Sequence, residues 1–200
     1  MNAGLLIAFE GLDGSGKSTQ VERLAAALRG AGRDPLVTRE PTDGEFGRRI
    51  RNMAARGSPP PPEEELRWFV EDRREHAQRV LRPALAQGRL VVTDRYTLSS
   101  VAYQGARGLD WRRILAEGEA EFPLPDAVFL LEIDPAQALE RARARGRAID
   151  AAFETAEFLT RVAAIYRAIE RDYVERIDAR QGPAAVAAAV WRSASRRLGV

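Results

Sequence analysis

The segment from residue 11 to residue 19, Gly-Leu-Asp-Gly-Ser-Gly-Lys-Ser-Thr, constrains the fold of this chain more than any other. It lies between an apolar run at residues 5–9 and a helical-looking stretch at residues 20–28. This order matches the phosphate-loop pattern G-x-x-x-x-G-K-[ST] without a mismatch. Such a loop can turn successive backbone N–H groups towards phosphate oxygens, and the helix behind it adds a positive dipole end. The segment therefore predicts a nucleoside triphosphate site.

The polar side chains of the loop have separate expected roles. Lys17 is the only lysine among 31 lysine and arginine residues, and we expect it to reach the β- and γ-phosphates. The Ser18 hydroxyl is expected to complete the shell of a Mg²⁺ ion. A plain turn between a strand and a helix is the alternative, which the complete pattern disfavours. The residues assigned to ATP binding here are Gly11, Leu12, Asp13, Gly14, Ser15, Gly16, Lys17, Ser18 and Thr19.

Composition limits the class of protein. With 200 residues, 45% of them hydrophobic, the chain fits a single domain at residues 1–200. It contains no cysteine, which excludes disulfides and thiolate metal sites. No apolar run approaches a membrane span, and no basic segment precedes the first apolar run, so we expect no membrane association and a cytoplasmic location. The net charge of +2 gives no support for nucleic-acid binding.

Short apolar runs alternate with helical patterns along the chain. The runs lie at residues 5–9, 35–38, 90–93, 127–133 and 173–177. Strands that alternate with helices form parallel sheets, so the predicted fold is three-layer α/β: a five-stranded parallel sheet with helices on both faces. One helix is expected to begin at residues 62–65, to bend or end at Pro83 and to close at Gly88. Another helix is expected at residues 157–172.

Charged residues follow two of the predicted strands. Arg39 and Glu40 follow the second strand, and Asp94 and Arg95 follow the third. Ligands bind at the carboxyl ends of parallel strands, so these side chains are site candidates, and Asp94 is expected to hold Mg²⁺. Phe69 and Arg73 are four residues apart and therefore share a helix face, and spacing alone favours a core position for Phe69.

The arginine-rich segment near residue 145 has two interpretations. Gly146 ends a predicted helix, and a loop follows to residue 153. The arginines here are either a solvated helix end or part of a flap, at about residues 143–155, that brings cations over phosphates.

Elimination narrows the function. Because Lys17 is the only lysine, the Asn-Lys-x-Asp motif that reads guanine is absent, which disfavours a GTPase switch. The chain is short for a motor. A phosphate donor site with arginines at neighbouring strand ends favours transfer of a phosphoryl group to an acceptor that itself carries phosphate.

Three blocks then resemble the bacterial thymidylate kinase family in sequence, order and spacing. They are Phe-Glu-Gly-Leu-Asp-Gly-Ser-Gly-Lys-Ser-Thr-Gln at residues 9–20, Thr-Arg-Glu-Pro at 38–41, and Asp-Arg-Tyr at 94–96 followed by Ala-Tyr-Gln-Gly at 102–105. The resemblance implies the phosphate-loop kinase fold, transfer of the γ-phosphoryl group of ATP to dTMP, Mg²⁺ as cofactor, and a homodimer.

The resemblance also implies roles by position. Phe69 would stack on thymine, and Arg95 would contact the acceptor phosphate. Asp13 would contact the acceptor sugar and help to organise the metal region. The other residues that it places at the acceptor, around its base, its sugar or the border of its pocket, are Arg39, Glu40, Arg73, Ser100, Tyr103 and Gln104.

The chain departs from the family pattern in the flap. Family members without a basic residue at the position of Ser15 carry a catalytic arginine in an Asp-Arg-x-Glu segment, whereas residues 149–154 read Ile-Asp-Ala-Ala-Phe-Glu. Arg143, Arg145 and Arg147 are the candidates to replace it. The predicted catalytic set is Lys17, Asp13, Arg95 and Arg147, with Arg143 on ATP. A second departure is Thr-Asp-Gly at residues 42–44, where many members have Gly-Gly-Thr.

Two alternatives stay open at this point. One is a related kinase that acts on a deoxynucleoside or on another nucleoside monophosphate, with Glu40 as the base for a free hydroxyl. The other is a nucleotide-binding homologue with weak catalysis, because the usual flap arginine is missing.

Overall fold

The computed structural model describes residues 4–56, 59–144 and 155–199. Its centre is a parallel sheet with the strand order β2-β3-β1-β4-β5. All four strand pairs are parallel, which confirms the predicted five-stranded sheet. The strands are β1 (Leu5–Gly11), β2 (Leu36–Arg39), β3 (Leu90–Asp94), β4 (Ala127–Glu132) and β5 (Val174–Asp178).

Helices connect the strands and cover the sheet. α1 and α9 pack together and against the strands, while α5 packs on β1 and contacts α6 and α8. The helices are α1 (Lys17–Gly30), α2 (Glu45–Arg56), α3 (Pro62–His76), α4 (Arg82–Ala86), α5 (Thr97–Ala106), α6 (Trp111–Glu121), α7 (Pro135–Ala144), α8 (Ala156–Ala168) and α9 (Pro183–Leu198). No helix within the described part of the chain is long and apolar enough to cross a membrane.

The central strands are apolar along their length because both of their faces are covered. Leu6, Ile7, Ala8 and Phe9 of β1 are completely buried, and the ring of Phe9 packs on Phe129 of β4 at 5.3 Å between centroids. A strand buried on both faces gains nothing from alternation of polar and apolar residues. This explains why the sequence shows continuous apolar runs at these places.

The helix before β3 changes its winding where the sequence predicts a bend. α3 continues into a π-helical turn at Ala77–Leu81, and α-helical winding resumes in α4 with Pro83 in its first turn. Proline has no N–H to donate, and its ring crowds the carbonyl four residues earlier. The wider π turn accommodates this ring without ending the helix.

One helix boundary differs from the expectation. α8 was expected to reach residue 172 but ends at Ala168. Arg176 of β5 donates to the carbonyl oxygens of Arg167 and Ile169, both at 2.9 Å. A side chain from a distant strand thus satisfies carbonyls at the helix end, which the local sequence does not show.

The register of the sheet places the loops that carry polar side chains next to each other. Phe9 of β1 lies opposite Asp94 of β3, and Gly11 lies opposite Leu131 of β4. Since the strands are parallel, the loops after β1, β3 and β4 all leave the sheet at one edge. The candidate site lies at that edge.

Substitution of Gly47 in α2 can show how tightly α2 packs against the loop that contains Thr42. A Cβ at Gly47 would lie 1.9 Å from the backbone oxygen of Thr42, which cannot move aside cheaply. We expect Gly47→Ala to lower the free energy of unfolding by about 2 kcal/mol or more, measured by urea denaturation. Gly30→Ala is the matched control because a Cβ at Gly30 would have no other atom within 4 Å. A control as destabilised as Gly47→Ala would contradict the packing argument.

Candidate active site

The loop between β1 and α1 has the backbone geometry of an anion cradle. Gly14 and Gly16 have φ angles of 84° and 99°, values that favour glycine. A Cβ at Gly14 would lie 2.0 Å from the backbone oxygen of Ala138, so the loop also runs tightly against α7. α1 begins directly at Lys17, and no side chain caps its first N–H groups. These groups therefore point to an anion as their partner.

Lys17 is held at the base of the cradle. Its ammonium donates to the backbone oxygens of Gly11 and Leu12, at 3.0 and 2.8 Å. Burial, and then the nearby guanidinium of Arg95, lower the pKa of Lys17 to about 8 although Asp13 and Asp94 oppose the shift. Asp13 Oδ1 lies 4.0 Å from the ammonium and compensates its charge only in part, so a bound phosphate would supply a further counter-charge. The Ser15 hydroxyl is also buried and has no hydrogen-bond partner among the described residues.

Two oxygen-bearing side chains meet beside the loop. The Ser18 hydroxyl at the start of α1 donates to Asp94 Oδ2 at 2.6 Å. One hydroxyl, one carboxylate and space for phosphate oxygens and water form the donor set that Mg²⁺ prefers, so this pair fits the ion. No cluster of three or more histidine, cysteine or acidic side chains that could hold a metal occurs at residues 4–56, 59–144 and 155–199.

Arg95 joins the strand end after β3 to the loop after β1. Its guanidinium contacts Asp13 Oδ1 at 2.8 Å and donates to Ser99 Oγ at 2.9 Å. The same guanidinium lies over the ring of Tyr103, 5.2 Å from its centroid. Arg95 has a φ of 71°, a strained value for a residue other than glycine. A carboxylate, a hydroxyl and a ring therefore fix a cation that lines the large cleft beside the loop.

Glu10, which the sequence did not single out, holds this strained turn in place. It is completely buried on β1, and its carboxylate accepts from the backbone N–H groups of Tyr96 and Ser99 at 2.9 and 3.0 Å. The Ser99 and Tyr166 hydroxyls donate to its other oxygen at 2.5 and 3.2 Å. Burial raises the pKa of Glu10, and the Ser99 hydroxyl opposes the rise. A buried carboxylate thus caps α5, and Ser99 links it to Arg95.

A second buried group centres on Arg73 of α3. Its Nε donates to Glu40 Oε2 at 2.9 Å, and its Nη2 donates to Ser100 Oγ at 3.0 Å. The other oxygen of Glu40 contacts His76 Nδ1 at 3.0 Å. Both oxygens of Glu40 are therefore occupied, which argues against the hypothesis that Glu40 is a base for a free hydroxyl. His76, between Glu40 and Thr38, is a buried structural residue.

Most of the predicted acceptor residues line one cleft of about 690 Å³, whereas Arg73 and Ser100 are buried and do not line it. Phe69 is half-buried and lines this cleft, so the core position that spacing favours is wrong. Arg73 is 2% exposed and lies behind the lining, where Glu40 and Ser100 hold it. We call this space the acceptor cleft. The other site residues that line it are Asp13, Gly14, Gly16, Lys17, Ser18, Arg39, Glu40, Asp94, Arg95, Tyr103 and Gln104.

A second cleft, of about 390 Å³, opens on the other side of the loop. Gly11 and Leu12 line it together with Asp134 after β4 and Arg180 after β5. We call this space the donor cleft. Asp134 and Arg180 are not among the site residues that the sequence predicts. Their position after two further strands of the same sheet was the available signal.

The remaining predicted residues are less central or cannot be placed. Arg39 is exposed and paired with Asp43 at 3.0 Å, at the rim of the acceptor cleft. Arg143 is exposed in the last turn of α7. Arg145, Arg147 and the central part of the predicted flap lie outside the described residues.

Comparisons with known proteins agree with one another. A family model described as thymidylate kinase matches residues 9–190. A thymidylate kinase of Akkermansia muciniphila is 43% identical over 195 residues, which cover 98% of this chain and 93% of that protein. One of Desulfotalea psychrophila is 41% identical over 90% of this chain and 89% of that protein. One of Xanthomonas euvesicatoria is 44% identical over 88% of this chain and 76% of that protein.

The lowered pKa of Lys17 makes ligand binding dependent on pH. With a pKa of about 8 in the free protein, Lys17 is mostly neutral at pH 8.5, whereas a phosphate anion favours its charged form. We expect a nucleoside triphosphate to bind more weakly as pH rises from 7 to 9 and to take up roughly 0.7 proton at pH 8.5. Calorimetry in buffers of different ionisation enthalpy measures this uptake. Proton release, or none exchanged beyond the nucleotide's own, would contradict it.

Proposed function

The chain belongs to the thymidylate kinase family, and from this membership we propose that it transfers the γ-phosphoryl group of ATP to dTMP, giving dTDP and ADP. An oxygen of the dTMP phosphate bonds to the γ-phosphorus while the bond from that phosphorus to the bridging oxygen of ADP breaks. One observation carries the proposal. Arg95 pairs with Asp13 of the phosphate loop at 2.8 Å and lines the acceptor cleft, so a cation stands where the two substrates would meet.

ATP would occupy the cradle and the donor cleft. The N–H groups at the start of α1 and Lys17 face the phosphates, and the donor cleft on the other side of Leu12 has room for the nucleoside. Gly14, Gly16, Lys17 and Ser18 of the cradle also line the acceptor cleft, so the γ-phosphate and the acceptor phosphate would meet on the same side of the loop. Arg143 stays a prediction for ATP contact.

Ser18 and Asp94 would hold Mg²⁺. The ion, when bound, neutralises charge on the β- and γ-phosphates. The 2.6 Å hydrogen bond between the two side chains supports this assignment, because it places their oxygens next to each other.

dTMP would occupy the acceptor cleft with its phosphate towards Arg95. The half-buried ring of Phe69 would offer a face for stacking the base, and Gln104 in the lining, with Arg73 and Ser100 behind it, would supply polar groups towards its edge. Tyr103, whose hydroxyl accepts from the Asp13 N–H at 3.3 Å, would lie near the sugar.

The expected catalytic contribution is electrostatic. In the transition state, negative charge spreads over the transferring group, and Lys17 and Arg95 would stabilise it from two sides. Both cations are already fixed, Lys17 by loop carbonyl oxygens and Arg95 by Asp13 and Ser99. Preorganised groups need no reorientation during the reaction, and holding two anions in line removes much of the entropic barrier.

Two alternatives differ from this proposal in the acceptor or in the rate. A kinase acting on a free hydroxyl would need a base, and Glu40 is already bonded to Arg73 and His76. The missing flap arginine in residues 149–154 is the reason to consider a weakly catalytic nucleotide-binding protein.

The homodimer and the cytoplasmic location stay predictions. Light scattering would test the homodimer.

An acceptor panel separates these candidates. We expect release of ADP, followed in a coupled assay, to be fastest with dTMP, slower with dUMP and at background with thymidine. Thymidine has no phosphate that Arg95, in the lining of the acceptor cleft, could bind. Turnover that is fastest with thymidine would favour the hydroxyl kinase. ATP binding without turnover of any monophosphate would select the weakly catalytic protein.

The arginines of the flap region supply a further test. If Arg147 replaces the missing family arginine, Arg147→Ala should lower kcat by about 10²-fold or more, while Arg143→Ala raises mainly the KM for ATP. Arg161→Ala is the matched control, because Arg161 is an exposed arginine of α8 whose side chain contacts Glu157. Unchanged turnover for alanine variants at 143, 145 and 147 would refute the replacement.

A further inference from the structure

The Gln104 side chain is buried but only one of its two ends has a partner. Gln104 is 2% exposed on α5, and its Nε2 donates to Glu65 Oε1 at 3.0 Å. Its carbonyl oxygen is buried and accepts no hydrogen bond from residues 4–56, 59–144 or 155–199. Both side chains line the acceptor cleft. A buried acceptor without a donor is unfavourable, so this oxygen points to an N–H group supplied by a ligand.

Glu65 determines the orientation of the Gln104 side-chain amide, because Gln104 Nε2 donates to it. An ionised carboxylate only accepts hydrogen bonds, whereas an amide donates from one end and accepts at the other. Glu65 lies in the first turn of α3, near the positive end of the helix dipole, and its second oxygen contacts the Arg107 guanidinium. Both features favour the charged carboxylate. The NH₂ end of Gln104 must therefore face Glu65, and the carbonyl end faces away from it.

We infer that Glu65 is a positioning residue for selection of the acceptor base, because it holds the Gln104 amide with its carbonyl oxygen ready for an N–H donor of that base. This inference rests on the proposed function. Thymine presents an N–H at ring position 3, whereas cytosine presents a lone pair there. A fixed carbonyl oxygen therefore attracts the first base and repels the second. Arg73, which only donates, would favour the neighbouring carbonyl of thymine over the amino group of cytosine.

Arg107 makes the effect of one substitution predictable. Its Nη2 donates to the backbone oxygen of Pro60 at 2.9 Å, which holds the guanidinium next to Glu65. In Glu65→Gln, the guanidinium takes the oxygen of the new amide because it can only donate. The NH₂ of the new amide then faces Gln104 and reverses that side chain. The acceptor cleft would gain a donor where it had an acceptor.

The experiment measures the Kd of dTMP and of dCMP by calorimetry, which requires no turnover. We expect Glu65→Gln to lower the preference for dTMP over dCMP by roughly tenfold to a hundredfold, partly through tighter binding of dCMP. Arg107→Lys is the matched control, since it keeps a cation beside Glu65 but loses the bond to Pro60. It should lower the Tm and leave the preference within about threefold.

The outcomes separate this inference from the proposed function. An unchanged preference in a folded Glu65→Gln protein, or an equal loss in Arg107→Lys, would overturn the inference. A wild-type protein that prefers dTMP in binding but does not phosphorylate it would overturn the proposed function alone. If Glu65→Gln does not fold, Glu65→Ser removes the imposed orientation and must also lower the preference. Gln104→Leu in the Glu65→Ser background must then lower the preference by less than Gln104→Leu does in the wild-type protein, because both residues act through one contact.

Discussion

The buried carboxylate of Glu10 is the interaction on which the arrangement of the site depends. A carboxylate without partners in an apolar interior is strongly disfavoured, so its position is dictated by the groups that compensate it. Those groups are the N–H donors at the start of α5 and two hydroxyls, from Ser99 and Tyr166. They tie the central strand to the turn that carries Arg95. The strained backbone of Arg95 persists because this network overdetermines it.

Electrostatic balance explains why the site suits two anions at once. Arg95 lies close enough to Lys17 to disfavour its charged form, and Asp13 and Asp94 offset only part of this repulsion. The ligand-free protein therefore compensates the charge of Lys17 only in part. A bound phosphate would complete the compensation, so part of the binding free energy would come from charge that the fold has already assembled.

The acceptor side uses buried polar networks in a different way. Glu40 holds Arg73, and Glu65 holds Gln104, so each of these side chains predicted to contact the base is fixed by a carboxylate from a different part of the chain. A buried polar pair of this kind adds little to stability but fixes the orientation of the side chain. Phe69 is a position at which the local sequence pattern does not predict burial correctly. Its spacing is that of a core residue, yet the packing of α3 leaves its ring half-exposed to the cleft.

The sequence by itself determined the phosphate loop, the five strands and the alternation with helices, because glycine positions, apolar runs and charged strand ends are local signals. It also placed Asp94 and Arg95 correctly at a strand end. Only the tertiary structure decided the strand order and the donor cleft. It also decided the hydrogen-bond partners of Glu10 and Glu65, and that both carboxylate oxygens of Glu40 are occupied by Arg73 and His76. Glu10 and Ser99 are 89 positions apart, and Glu65 and Gln104 are 39 apart. Contacts over such separations follow from how helices pack on a sheet, and no pattern within a single element encodes them.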